Sequence, residues 1–201
     1  IEASEFNLYH IDREVREAFP ELKLSIVLCN VRDIQHVRAV FTQHKPELVF
    51  HAAAIKHVPM AEINIEEAIL TNVFGTKCIA EAALAHGVQA MVMISTDKAV
   101  NPGNVMGASK RLAEAFCQAL GSTERAGGGT KFITVRFGNV LGSTGSVVPL
   151  FSEQLKRGGP LTVTHADITR YFMTVREAVE LVLQAAVLGV NQHDRQECIF
   201  V

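Results

Sequence analysis

The chain has 201 residues, 48% of them apolar, and a net charge of −2 from 19 basic and 21 acidic side chains. That composition supplies one buried core and excludes both a disordered tail and a strongly basic binder of nucleic acid, so no nucleic-acid partner is expected. No run reaches the roughly 18 consecutive apolar residues of a bilayer span, and no charged-then-apolar leader is evident, so no membrane segment is expected in these residues.

In chain order, Leu24–Leu28 is a short apolar run of the kind that forms a buried strand. Asp33 is placed to cap a helix carrying Ile34, Val37, Val40 and Phe41 at spacings of three and four. A second strand is expected at Leu48–Phe50. A helix over Glu66 to Ala85 follows, with Ile69, Val73, Thr76, Ala80 and Ala83 on one face. Ala90–Ile94 reads as a third strand, and the helix after Pro102 places Val105, Ala108, Leu112, Phe116 and Ala119 on one face. Gly127-Gly128-Gly129 reads as a surface loop before a fourth strand at Phe132–Val135.

Strands that alternate with helices and are almost continuously apolar imply a parallel sheet covered on both faces, a doubly wound α/β domain. Ligands in such domains bind beyond the carboxyl ends of the strands. Three strands are followed there by small and polar residues: His51-Ala52-Ala53-Ala54 with Lys56-His57, then Ser95-Thr96-Asp97-Lys98, then Arg136-Phe137-Gly138-Asn139. The four cysteines, Cys29, Cys78, Cys117 and Cys198, are scattered without a C-x-x-C pair. Free buried thiols in a reducing compartment fit that spacing, and no metal site is expected.

The glycine turn G-x-G-x-x-G that cradles a dinucleotide's pyrophosphate is absent from these residues. In dinucleotide folds an acidic residue about 20 positions after that turn takes the ribose hydroxyls. Glu2 is either that residue, with the first strand, glycine turn and first helix lying upstream, or a solvated residue at the chain start. On the first reading these 201 residues alone are expected to bind cofactor weakly.

The motifs HAAAIKHVPMAE (51–62), TNVFGT (71–76), STDKAVNP (95–102), MGASKR (106–111), VRFGNVLGSTGSVVPLF (135–151) and TRYFMT (169–174) carry a family resemblance. The chain resembles the extended short-chain dehydrogenase/reductases. Within them it is similar to the CapD-type nucleotide-sugar 4,6-dehydratases acting on UDP-N-acetylglucosamine. The resemblance implies a Rossmann-like cofactor domain over residues 1–140, lacking its first strand and glycine turn. It implies an incomplete, interleaved substrate-binding region over residues 141–201.

By that resemblance NAD is the expected cofactor, held by Glu2, Asn30, Val31, Ala52, Ala53, Ala54, Asn72 and Lys110. A carboxylate at Glu2 repels a 2′-phosphate, which favours NAD over NADP. From the residues alone, Ala52–Ala54 suit close strand–helix packing as well as cofactor contact, and Asn72 suits a buried amide bridging backbone. Met106 and Lys110 share a helix face where short-chain dehydrogenases usually carry Tyr and Lys. A thioether cannot act as a base, so the C4-hydroxyl base is left open, with Thr96 as a candidate relay; by the resemblance Lys110 keeps a ribose-holding role, where the residues alone suit a solvated helix lysine.

The resemblance assigns Asp97 as the acid for the departing C6 hydroxyl and Lys98 as the base for the C5 proton, where the residues alone equally suit a solvated ion pair. Both jobs need protons opposite to those of the ordinary charged pair, so coupled titration in a closed site is expected. Lys56, His57, Asn139, Ser146 and Arg170 are the expected contacts to a UDP-N-acetylhexosamine, Arg170 through its paired donors to phosphate. Lys56, His57 and Arg170 also suit ordinary surface roles. A UDP-hexose 4-epimerase and a noncatalytic fragment are the rival readings. The implied setting is cytoplasmic, or the cytoplasmic part of an inner-membrane protein, with a homo-oligomer as the intact enzyme.

Overall fold

The computed structural model describes residues 1–123, 129–142, 147–163, 165, 167, 169, 171–191 and 197–201. Helix α1, Glu5–Ala18, begins at Ser4, whose hydroxyl accepts from the Asn7 amide, and it buries no side chain. Helix α2, Ile34–His44, is capped by Asp33 as expected, the carboxylate accepting from His36 N–H, and it buries Val37, Val40 and Phe41. Strand β1, Leu48–His51, follows. Helices α3, Val58–Ile63, and α4, Ile65–Ile69, lead through a π-helical turn, Leu70–Gly75, into α5, Thr76–Ala85.

Strand β2, Ala90–Thr96, runs directly into a 3-10 turn, Asp97–Ala99, and then into the long helix α6, Val105–Thr123. Strand β3 is Lys131–Phe137 and β4 is the short Asn139–Val140. Helix α7, Val147–Lys156, strand β5, Phe172–Met173, helix α8, Val175–Asn191, and strand β6, Glu197–Phe200, complete the order.

The main sheet has the order β1-β2-β3-β6 with every pairing parallel, and β4 pairs β5 in a second, two-stranded ladder. Alternate residues of β2 serve two cores. Met91 and Met93 pack with Val37, Phe41, Ile79 and Cys117. Ala90 and Val92 pack with Ile133, Val135, Ala185 and Ala186 on the other face. That division is what burial on both faces of a parallel sheet requires, and the doubly wound α/β expectation holds. Residues 197–200 return to the main sheet beside β3.

Three expectations change. Leu24–Leu28 is not a strand: its tie to a neighbour is a single parallel bridge between Glu2 and Leu28, and one bridge does not hold a ladder. Helix α6 packs through Met106, Ser109, Lys110, Ala113, Glu114 and Cys117, whereas Ala108, Leu112 and Ala119 are exposed. The packed face mixes small and apolar residues with Ser109 and Glu114, whose polar groups find partners inside, and with Lys110. In the second helical run the π turn rotates the register, so Ala68, Asn72, Gly75 and Thr76 are buried while Ile69 and Val73 are half-covered.

One helical run, Ile65–Ala85, is long and apolar enough to cross a membrane by length and composition, at mean hydropathy 1.2. Here it packs on α2 and α6 and inserts Asn72 into a polar network, as a core helix does. Gly127, Gly128, Gly145, Ser146 and Arg170 lie outside the described residues.

Candidate active site

Parallel pairing sets the strand ends side by side. Ser95 registers with Arg136 and Thr96 with Phe137, so the Thr96-Asp97-Lys98 turn and Gly138-Asn139 leave the sheet at one edge. Gly138 lies close to both neighbours there: a Cβ on it would stand 3.6 Å from the Asp97 Oδ2 and 3.1 Å from the Tyr171 carbonyl oxygen.

The turn is internally wired. Thr96 Oγ1 donates to Asp97 Oδ1 at 2.9 Å and accepts from the Lys98 amide at 3.3 Å. Lys98 Nζ donates to the same Asp97 Oδ1 at 2.9 Å. Burial works to raise the Asp97 carboxyl, but the Lys98 and Thr96 hydrogen bonds and the Lys98 charge outweigh it, so its pKa lies below the ordinary carboxylate value. Both side chains retain solvent contact, 45% for Asp97 and 27% for Lys98, so the pair stands at an open edge.

Helix α6 abuts this turn because Gly107 has no side chain; the Lys98 carbonyl fills the place a Cβ would take. Met106 and Lys110 are thereby brought to the same edge, both buried. The Lys110 ammonium is buried with no hydrogen-bond partner among the described residues. Desolvation pulls its pKa down to about 8, against an upward pull from the Glu114 charge. A buried cation without a hydrogen bond costs free energy unless a ligand supplies one.

Asn72 is fully buried and fully used. Its Oδ1 accepts from Ile55 N–H at 2.8 Å, and its Nδ2 donates to the Ile55 carbonyl at 3.0 Å and to Ser109 Oγ at 2.9 Å. It therefore ties the loop after β1 to α6. Its neighbours Thr76 and His51, read from the sequence as a helix-face residue and a strand-end residue, extend the network. Thr76 Oγ1 donates to the Asn72 carbonyl, so His51 Nε2, 2.9 Å away, is the donor to Thr76. Burial, with the Lys110 charge nearby, holds the His51 imidazole neutral with a pKa of about 3.

A cavity of about 460 Å³ lies between the chain start and β1. It runs along β1 from Pro46 and Leu48 to Ala53, and Glu2, Val27, Val31, Phe41 and Ile79 also line it. Four expected cofactor residues, Glu2, Val31, Ala52 and Ala53, thus share one cavity. Ala54 stands next in the chain and is half-buried. Asn30 spends its side-chain oxygen on the backbone and guanidinium of Arg32, which pairs with Glu67 at 2.7 Å. The cavity is largely apolar, with Glu2 on it and Ala52 and Ala53 at its end by the carboxyl terminus of β1; the buried Lys110 ammonium, which lacks a hydrogen-bond partner among the described residues, is the feature that fits a ribose hydroxyl of a dinucleotide.

Lys56 is exposed and His57 half-buried at the start of α3. Asn139 is held by Tyr171, its backbone and side-chain amides both donating to that carbonyl, at 3.2 and 3.3 Å. Glu114 was missed from the sequence. It is fully buried on α6, and it accepts from Ser95 Oγ, from Arg136 Nε and Nη2, and from Arg111 Nη1. Its position four residues after Lys110 on an otherwise apolar and small face is the signal that could have exposed it.

Residues 1–200 match a family described as "Polysaccharide biosynthesis protein". The chain is 50% identical over 186 residues to the capsular polysaccharide biosynthesis protein CapD of Staphylococcus aureus, covering 92% of this chain and 31% of that protein. It is 41% identical over 188 residues to a UDP-glucose 4-epimerase of Rickettsia typhi, covering 94% and 53%. The crystal structure of Pen from Bacillus thuringiensis superposes with a TM-score of 0.83 at 36% identity, over 92% of this chain and 57% of that one. A double mutant of DesIV, a dTDP-glucose 4,6-dehydratase of Streptomyces venezuelae, with NAD bound, superposes with a TM-score of 0.78 at 21% identity over 94% and 61%, a likeness of fold. The chain thus spans between about a third and three fifths of these proteins.

Proposed function

The chain belongs to the polysaccharide biosynthesis protein family, and within it we propose that it forms the cofactor and acid–base part of a UDP-N-acetylglucosamine 4,6-dehydratase using NAD. The observation that carries this reading is the Thr96–Asp97–Lys98 hydrogen-bonded turn standing at the same sheet edge as the orphaned Lys110 ammonium. NAD, when bound, supplies the acceptor for the C4 hydride and returns it to C6. Glu2 would take the adenosine ribose hydroxyls, Val31 and Asn30 flank the adenine, and Ala52–Ala54 admit the pyrophosphate. Lys110 would donate to the nicotinamide ribose.

The wiring of the turn supports a closed proton circuit. Thr96 accepts the C4 hydroxyl proton while passing its own to Asp97 across the 2.9 Å bond already made. Asp97, now a carboxylic acid, gives that proton to the leaving C6 hydroxyl, which departs as water. Lys98, as the neutral amine, takes the C5 proton during elimination and returns a proton to C5 when the hydride reaches C6. The circuit ends where it began, with a carboxylate and a neutral amine. The circuit requires a substrate-filled, water-poor edge, where desolvation disfavours charged groups in general. Met106 takes no part in moving protons.

Lys56, His57, Asn139, Ser146 and Arg170 are the proposed holders of the UDP-N-acetylhexosamine, with residues 141–201 contributing the substrate side. A homo-oligomer in the cytoplasm, or on the cytoplasmic side of an inner-membrane protein, is proposed for the intact enzyme. The 41% identity to a UDP-glucose 4-epimerase favours one second reading, oxidation and re-reduction at C4 alone. Incubating the full-length protein with UDP-N-acetylglucosamine and NAD in D₂O separates them. The dehydratase yields a 4-keto-6-deoxy product carrying deuterium at C5; a 4-hydroxy epimer without deuterium at C5 makes the protein an epimerase.

A further inference from the structure

We infer that Glu114 is a positioning residue: its carboxylate clamps the ends of β2 and β3 to helix α6 and so fixes the Thr96–Lys98 turn relative to Lys110. The clamp is a set of four hydrogen bonds from three residues. Oε1 accepts from Ser95 Oγ at 2.5 Å and from Arg136 Nε at 2.9 Å, and Oε2 accepts from Arg136 Nη2 at 2.5 Å and Arg111 Nη1 at 3.2 Å. A carboxylate has about four lone-pair sites, and all four are filled.

The partners are placed where a clamp acts on chemistry. Ser95 is the residue before Thr96, and Arg136 lies directly across the ladder from it. Two residues beyond Arg136 is Gly138, against Asp97. One helical turn before Glu114 is Lys110. A single fully buried group thus holds three chain segments that each deliver part of the proposed site.

A buried ion pair contributes little net stability compared with apolar packing of the same volume. Its geometry is rigid, because the Arg136 guanidinium engages both carboxylate oxygens through a planar fork. Burial opposes the Glu114 charge, but the hydrogen bonds from Arg136 and Ser95 and the Arg136 charge overcome it, so the clamp stays ionised. At this edge, orientation is what the clamp provides.

The inference about turnover rests on the proposed dehydratase reading; the clamp itself does not. The test uses Glu114→Gln and Ser95→Ala in the full-length protein, the second removing one hydrogen bond while leaving the Glu114–Arg136 pair intact. Amide hydrogen exchange is read at Lys98 and Val100 against the β2 amides of Met91 and Val92. Steady-state kinetics are read with UDP-N-acetylglucosamine.

Both variants are expected to speed exchange at Lys98 and Val100 about tenfold with the β2 amides unchanged. They are also expected to lower kcat about tenfold to hundredfold with KM within twofold. If Glu114→Gln fails to fold, Ser95→Ala decides. Unchanged exchange at Lys98 and Val100 in a folded variant overturns the clamp, and faster exchange with kcat intact, whatever happens to KM, overturns its positioning role. Local exchange acceleration in a protein whose wild type eliminates no water upholds the clamp and overturns the dehydratase reading.

Discussion

The backbone carbonyl of Lys98 occupies the space where a side chain on Gly107 would begin, so the start of α6 and the Asp97–Ala99 turn meet backbone to backbone. This contact brings the proposed acid–base turn to the helix that carries Lys110. Gly107→Ala is expected to force the two apart, costing about 3 kcal/mol because the obstacle is backbone and cannot swing aside. Turnover should fall at least about a hundredfold. Gly103→Ala, where a Cβ meets nothing within 4 Å, should change neither melting temperature nor rate.

Lys110 makes a stability and activity trade. Its ammonium is buried without a hydrogen bond, and its pKa is drawn down to about 8. Lys110→Met replaces it with an apolar side chain of similar length. Denaturant unfolding at pH 7 should show the variant more stable by about 1–3 kcal/mol, while NAD binding followed by calorimetry should weaken at least about tenfold.

His51 gives the fold an acid limit. Its folded pKa of about 3 lies below the ordinary 6.5, so the unfolded chain binds the proton first. The stability it contributes is complete above pH 6.5 and is lost as pH falls toward 3, at about 1.4 kcal/mol per pH unit. His51→Gln keeps a donor for Thr76 and removes the titration. Urea unfolding at pH 7, 5.5 and 4 should show the wild type losing stability more steeply than the variant.

The proposed proton circuit gives Thr96 a role that its hydroxyl alone can fill. Thr96→Val should lower kcat about tenfold to a thousandfold, and Thr96→Ser should restore most of it. Equal activity in the valine and serine variants would remove Thr96 from the proton circuit.

Much of this was legible in the sequence because local chemistry and tertiary demand agree. Asp33 caps the helix it was expected to cap, and Asn72 bridges backbone as a buried amide must. The apolar runs at 48–50, 90–94 and 132–135 form strands because each has a parallel partner. Leu24–Leu28 has the same composition without that ladder, and composition does not reveal a partner. The packed face of α6 was hidden for a different reason. Its Lys110, Glu114 and Ser109 are polar, and only the folded chain shows that Arg136, Ser95 and Asn72 meet two of them and that Lys110 is left without a hydrogen bond. Ser146 and Arg170 lie outside the described residues, so their proposed contact with the nucleotide diphosphate rests on sequence alone.

The most direct test removes each member of the acid–base pair separately. The full-length protein, Asp97→Asn and Lys98→Ala are incubated with UDP-N-acetylglucosamine and NAD, and the 4-keto-6-deoxy product is quantified by mass spectrometry. Each variant is expected to lose water elimination by at least about a hundredfold while still binding UDP. Full elimination in both variants would show that the proton chemistry resides elsewhere and would contradict the account.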